Sequence, residues 1–135
     1  MIYKFANIKE MVLPKDSYSV YIDEHIHGKK ELLQQFNDKL QFNKWGWNWD
    51  ALDDVCRDFS WLKNEDIYIL NKSLPILKED DLRIYLGSIS MYSNFWDDYP
   101  EHNFNVIFDN SIYSNVCALC EQYKIPLPSD DKKEK

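Results

Sequence analysis

The segment from position 44 to position 54 reads Lys44-Trp45-Gly46-Trp47-Asn48-Trp49-Asp50-Ala51-Leu52-Asp53-Asp54. It ends an aromatic-rich loop, which we place at residues 41–48, and begins a segment in which apolar residues recur at helical spacing. Those apolar residues are Leu52, Val55, Cys56 and Phe59. Because this spacing gathers them on one side of a helix, we predict an amphipathic helix from about Trp49 to Phe59.

Strand and helix patterns alternate on both sides of this segment. Apolar residues alternate with Ser19 and Tyr21 over residues 18–22, and short apolar runs occupy residues 67–70 and 106–108, so we predict three strands. Helical spacing marks residues 32–40 and 82–96. Parallel strands need long, usually helical, crossover connections. The order of the elements therefore predicts an α/β fold, in which a small three-stranded parallel sheet is layered with helices.

The length of 135 residues fits a single domain, which we place at residues 1–128. Its core is expected at about residues 17–110, with an extra C-terminal helix at about 111–124. Residues 1–16 are an N-terminal extension whose role the sequence does not reveal. Residues 129–135 are polar and balanced in charge, and we expect them to form a disordered tail.

The overall charge limits the classes of partner. The chain carries 16 basic and 23 acidic residues, a formal net charge of −7. Such a surface repels phosphate, so direct binding of nucleic acid is disfavoured, and a basic protein is the expected partner. The sequence has no apolar run long enough to cross a bilayer and no signal-peptide pattern, so we expect a cytoplasmic protein without a membrane partner.

Carboxylates cluster at the start of the predicted helix. Asp50 and Asp54 are four residues apart and share one helix face, with Asp53 beside them. Like charges at this spacing destabilise an isolated helix by roughly 0.2–0.5 kcal/mol per pair. The helix dipole favours carboxylates in the first turn, which accounts for Asp50 and Asp53 better than for Asp54. The cluster therefore indicates a cationic partner.

Other short motifs contain residue types that are typical of metal or catalytic sites. Cys117 and Cys120 lack a second pair of ligands, and His25 and His27 have no third ligand nearby in the sequence. His102 is isolated, and a loop histidine is the simpler interpretation. The whole chain contains only three glycines, so a glycine-rich nucleotide-binding loop is not expected. We expect no metal, no cofactor and no catalytic residue.

The pattern Gly46-x-Asn48-x-Asp50-Ala51-Leu52, followed by Asp54, resembles the signature of the barstar family, the intracellular inhibitors of bacterial ribonucleases such as barnase. The resemblance extends over residues 17–110 through the order of strands and helices. It implies that the loop and the following helix plug a ribonuclease active site, with acidic side chains in the place of RNA phosphates. Gly46, Asn48, Asp50 and Asp54 match the motif, and Asp54 falls on the family's main acidic anchor.

The resemblance also implies a second acidic contact from the helix before the last strand. Asp97 or Asp98 lies at the matching distance, and no motif decides between them. The complete set expected to bind the toxin is Trp45, Gly46, Trp47, Asn48, Trp49, Asp50, Asp53, Asp54, Asp97 and Asp98.

The chain departs from the family pattern at several positions. Lys44 and Trp45 replace a pair of tyrosines, Asp53 replaces an aromatic residue, and Trp47 and Trp49 replace residues that are not aromatic. Composition alone leads us to expect about two of these three tryptophans in the core. The departures imply a basic toxin other than barnase, whose pocket has a different shape.

The sequence therefore favours a bacterial immunity protein that binds a basic ribonuclease toxin in a one-to-one complex and catalyses nothing. Two alternatives from other classes stay open. One is an acidic adaptor that binds a basic protein without nuclease activity. The other is a metal-dependent hydrolase that would use Asp50, Asp53 and Asp54 as ligands.

Overall fold

The computed structural model describes residues 2–63 and 66–130. Its strands are β1 (Tyr3–Ala6), β2 (Tyr18–Ile22), β3 (Ile67–Asn71), β4 (Phe104–Asp109) and β5 (Ser129–Asp130). Its α-helices are α1 (Gly28–Leu40), α2 (Trp49–Cys56), α3 (Glu79–Trp96) and α4 (Tyr113–Tyr123), and short 3-10 helices cover Ile8–Glu10 and Asn110–Ile112. None of the helices in these two ranges is long and apolar enough to span a membrane.

The strands form one parallel sheet with the order β2-β3-β4-β1-β5. The α/β class is confirmed, but the prediction of three strands is wrong, because the sheet has five. The N-terminal extension supplies β1, which pairs with β4 from Tyr3 opposite Val106 to Ala6 opposite Asp109. A strand of 4 residues is too short for alternation to stand out in the sequence.

The path of the chain decides which face of the sheet each connection covers. The connections from β2 to β3 to β4 and on to β5 all progress in one direction, and the buried side chains of α1–α4 belong to one apolar cluster. The connection from β1 to β2 runs the opposite way. Because parallel crossovers are right-handed, it must cross the other face. Residues 7–17 do so, since Ile8 packs there on Tyr68, Leu70 and Ile107.

Two helix boundaries differ from the sequence prediction. Helix α2 ends at Cys56 and not at Phe59, whose backbone takes a left-handed φ of 52°. The Phe59 side chain is still buried, and its ring stacks between those of Trp96 and Phe104 at 5.8 and 6.1 Å. Helix α3 begins at Glu79, ahead of Leu82, because acidic residues in its first turn are favoured by the helix dipole.

The C-terminal segment also joins the sheet. Ser129 and Asp130, which we expected to be disordered, instead pair with Lys4 and Phe5 of β1. The reason is the exposed edge of β1, which accepts a further strand. Residues 131–135 of the expected tail lie outside the described residues. How the chain divides into core and extensions stays a prediction.

A buried carboxylate connects three segments at the end of β4. Asp109 accepts hydrogen bonds from the backbone N–H of Ile8 at 3.0 Å and of Ser111 at 3.1 Å, from the Ser111 hydroxyl at 2.6 Å, and from the Lys72 ammonium at 3.2 Å. Burial by itself raises the pKa of this carboxyl, but the hydrogen bonds outweigh it and lower the pKa to about 2. Asp109 therefore fixes the start of the 7–17 crossover to the sheet.

Candidate functional site

The turn that leads into α2 is built by two residues of the sequence motif. The side chain of Asn48 caps the helix, because its Oδ1 accepts a hydrogen bond from the backbone N–H of Ala51 at 2.8 Å. A Cβ at Gly46 would lie 3.1 Å from the Cβ of Ala51, which is closer than ordinary contact. Glycine thus lets the loop approach the first turn of α2, and both residues shape the site.

The three tryptophans of this segment differ in environment. Trp45 and Trp49 are half-buried. The Trp45 indole donates a hydrogen bond to Asn37 Oδ1 at 3.1 Å, and the Trp49 indole donates one to Asp81 Oδ1 at 3.0 Å, so polar contacts hold both rings in place. Trp47 is 43% exposed, and its ring centroid lies 4.8 Å from that of Trp45. Trp47 is therefore the tryptophan of this segment most available to a partner.

The loop before α2 is held in an unfavourable backbone conformation. Lys44 and Trp47 have left-handed φ values of 52° and 55°, a region that side chains other than glycine seldom adopt. Gln41 has a φ of 60° as well, but there it serves as the C-cap of α1, where this conformation is common. Local strain of this kind concentrates at ligand-binding loops. Residues 42–48 fit that description.

The three aspartates of α2 are not equivalent. Asp50 lies exposed in the first helical turn. Asp53 is half-buried, and its carboxylate accepts a hydrogen bond from the hydroxyl of Tyr92 on α3. The Asp54 side chain is 82% exposed, and its Oδ1 lies 3.7 Å from a guanidinium nitrogen of Arg57. Asp53 therefore contributes a contact between α2 and α3, whereas Asp50 and Asp54 lie exposed on the surface.

Helix α3 lies beside α2, and the second group of acidic residues lies just beyond the end of α3. The Trp96 indole donates a hydrogen bond to the carbonyl of Cys56 at 2.8 Å, so the C-terminal ends of the two helices are adjacent. Asp97 and Asp98 follow directly and are exposed. A cavity of about 410 Å³, lined in part by Arg57 and Tyr99, lies between these ends. The structure therefore places these two aspartates near the C-terminal end of α2, whereas the tryptophan loop (residues 42–48) precedes its N-terminal end.

Sequence reasoning missed residues that hold the site together. Tyr92 was not singled out, although the spacing of α3 places it on the buried stripe, where its hydroxyl needs a partner. Burial also raises the pKa of Tyr92, which therefore remains a donor. Lys29 of α1 was missed too, and its ammonium lies 6.0 Å from the centroid of the Trp49 ring. No local sequence signal links Lys29 to Trp49.

The histidine and cysteine residues considered as metal ligands or catalytic groups lie in different environments. His102 lies in a loop but is only 4% exposed, because its ring packs edge-on against those of Phe59 and Trp96. Cys117 is half-buried and Cys120 is buried. Within residues 2–63 and 66–130, no group of three or more histidine, cysteine or acidic side chains is arranged to hold a metal ion.

Comparison with known proteins shows the family to which the chain belongs. No curated protein and no solved structure shows a significant match to the chain. Residues 18–109, about two thirds of the chain, match the family described as barstar (barnase inhibitor). The match runs from the start of β2 to the end of β4 and includes the whole of α2 and α3. The chain therefore belongs to the barstar family, whose members bind ribonucleases such as barnase.

Proposed function

We propose that this chain is an immunity protein that binds and occludes the active site of a bacterial ribonuclease toxin in a one-to-one complex. Its partner is a basic ribonuclease other than barnase. Acidic side chains of α2 and of the segment after α3 take the place of RNA phosphates on the basic groups of the enzyme. The chain acts in the cytoplasm and contributes no catalytic step.

The exposure of Asp54 is the observation that carries this proposal. Its carboxylate is 82% exposed and has Arg57 as its partner at 3.7 Å, a distance at which an exposed ion pair contributes little to stability. Folding therefore does not account for a carboxylate at this position. A basic active site does, because it would bind a carboxylate that is already held on a rigid helix.

The other proposed contacts have distinct roles. Asp50 extends the acidic surface along the first turn of α2, and Asp97 or Asp98 extends it beyond α3. Trp47 supplies an exposed aromatic anchor of the type enriched at binding hot spots. Asn48, Gly46, Trp45, Trp49 and Asp53 hold the loop and helix in place, so we assign them mainly to positioning.

The test is a ribonuclease inhibition titration. The purified product of the gene adjacent to this chain's gene serves as the probe, and barnase serves as a second ribonuclease. We expect full inhibition of the adjacent product at one equivalent, weaker inhibition of barnase, and a one-to-one mass by light scattering. Retention of full ribonuclease activity by both enzymes would overturn the proposal. Binding of the adjacent product without loss of its ribonuclease activity would favour the acidic adaptor.

A further inference from the structure

A cavity of about 430 Å³ opens beside the tryptophan loop, outside the acidic surface. It is lined by Lys29 and Lys30 from the first turn of α1, by Leu33 one turn later, and by Trp47. Leu33 is only 1% exposed and forms an apolar wall, whereas Trp47 is 43% exposed. No carboxylate lines the cavity, although the chain carries 23 acidic residues against 16 basic ones. The wall of the cavity is almost wholly apolar, so the two lysines line it mainly with their aliphatic chains. The cavity is thus an apolar site with two cationic residues in its lining, on a negatively charged protein.

The two lysines are available to a partner. Among the described residues, neither Lys29 nor Lys30 forms an ion pair with a carboxylate, whereas Arg57, Lys72 and Arg83 each have an acidic partner. The Lys29 ammonium lies over the Trp49 ring, 6.0 Å from the ring centroid. Two lysines in the lining of one cavity, neither of them ion-paired within the described ranges, favour the approach of an anionic group.

The strained conformation of Trp47 is the second observation. A left-handed φ of 55° is an unfavourable conformation for tryptophan, so the surrounding structure must hold the residue at this place. The ring packs against that of Trp45, and Trp47 also lines the cavity. This arrangement presents a rigid aromatic wall next to two cations. The cavity therefore fits an apolar side chain of a partner whose neighbouring residues carry a carboxylate.

We propose that this lysine-lined cavity is a second, oppositely charged contact for the ribonuclease, and that it receives an apolar side chain of the enzyme flanked by one or two carboxylates. The inference rests on the proposed function and deepens it. The bound enzyme would then present basic groups to Asp50 and Asp54 and acidic groups to Lys29 and Lys30. A ribonuclease with a basic active site but no acidic rim would bind less tightly, so the cavity would select among basic enzymes.

Two charge reversals on the same helix separate this contact from long-range attraction. Lys30 lines the cavity, whereas Lys39 is an exposed lysine in the last turn of α1. Lys30→Glu and Lys39→Glu make the chain more negative by the same amount. Long-range steering toward a basic enzyme should therefore increase equally in both variants. Any difference between them reports the local surroundings of Lys30.

The experiment measures association rate and Kd for the ribonuclease product of the adjacent gene by surface plasmon resonance, with wild type, Lys30→Glu, Lys39→Glu and Asp54→Ala. We expect about ten-fold weaker binding for Lys30→Glu and unchanged or slightly tighter binding for Lys39→Glu, and we expect Lys30→Arg to bind like wild type. Equal binding by both glutamate variants, with Asp54→Ala weakened, would overturn the second contact and leave the proposed function standing. If the wild-type chain does not bind, both proposals are wrong.

Discussion

The hydroxyl of Tyr92 on α3 donates a hydrogen bond to the carboxylate of Asp53 on α2. Tyr92 is fully buried, so this bond satisfies a hydroxyl that water cannot reach. Because of this bond, Asp53, which directly precedes the proposed anchor Asp54, links α2 to α3. The orientation of α2 on the protein surface therefore depends on α3.

We expect Asp53→Ala to lower the free energy of unfolding by about 1–3 kcal/mol, because it leaves the Tyr92 hydroxyl buried without its acceptor. Urea unfolding monitored by circular dichroism measures this change. Tyr92→Phe is the matched variant, and a double-mutant cycle with Asp53→Ala should show a coupling energy above about 0.5 kcal/mol. Additive effects of the two substitutions would contradict the link.

Asp54→Ala should leave the fold intact and weaken ribonuclease binding by about 2–5 kcal/mol, the range for truncating one side of a buried charge pair in a complex. Isothermal titration calorimetry measures the loss. Asp80→Ala is a suitable control, because Asp80 is also exposed on a helix and lies 4.0 Å from an arginine three residues later. If the two variants bind equally well, Asp54 is not the anchor.

Association with the ribonuclease should be fast at low salt and slow down steeply as salt rises. A chain of net charge −7 is steered toward a basic cleft by attraction that salt screens, with a Debye length of about 8 Å at physiological ionic strength. Stopped-flow measurement of association rates between low and high salt tests this. Rates that stay constant over that range would argue against electrostatic recognition.

Acid should destabilise the protein partly through Asp109. Because the pKa of this carboxyl is lowered to about 2 in the folded protein, its contribution is fully present above its unfolded pKa near 4. That contribution, roughly 1–2 kcal/mol, is lost as the pH falls from about 4 toward 2. Asp109→Asn should be less stable than wild type at pH 7, with a difference that shrinks below pH 4. Thermal unfolding across this pH range gives the comparison, and a constant difference would refute the assignment.

Deletion of residues 129–135 should leave ribonuclease inhibition intact, because Ser129 and Asp130 pair with β1 and the segment contains none of the proposed binding residues. We expect a modest loss of thermal stability, since the pairing of Ser129 and Asp130 with β1 is removed. Deletion of residues 131–135 alone is the control and should change neither property. A large loss of affinity in the longer deletion would show that the interface extends to this edge of the sheet.

Much of the central fold could be predicted from local patterns. The strand at residues 18–22 and the helix that ends at Leu40 follow from apolar periodicity, which is encoded within a few neighbouring residues. The start of α2 at Trp49 follows from capping by the Asn48 side chain, which is also local. The acidic face of α2 could be predicted for the same reason, because helical geometry alone places Asp50 and Asp54 together.

By itself, then, the sequence determined the α/β pattern, the family motif and the negative charge. Tertiary structure decided the positions of β1 and β5 in the sheet, since their partner strands lie far away in the chain. Both strands are also too short to show an alternating pattern of apolar residues in the sequence. It also decided that Asp53 is bound by Tyr92 and that Lys29 and Lys30 share a cavity with Trp47. These contacts join residues that no local periodicity relates, because they arise only when separate helices pack on the same sheet.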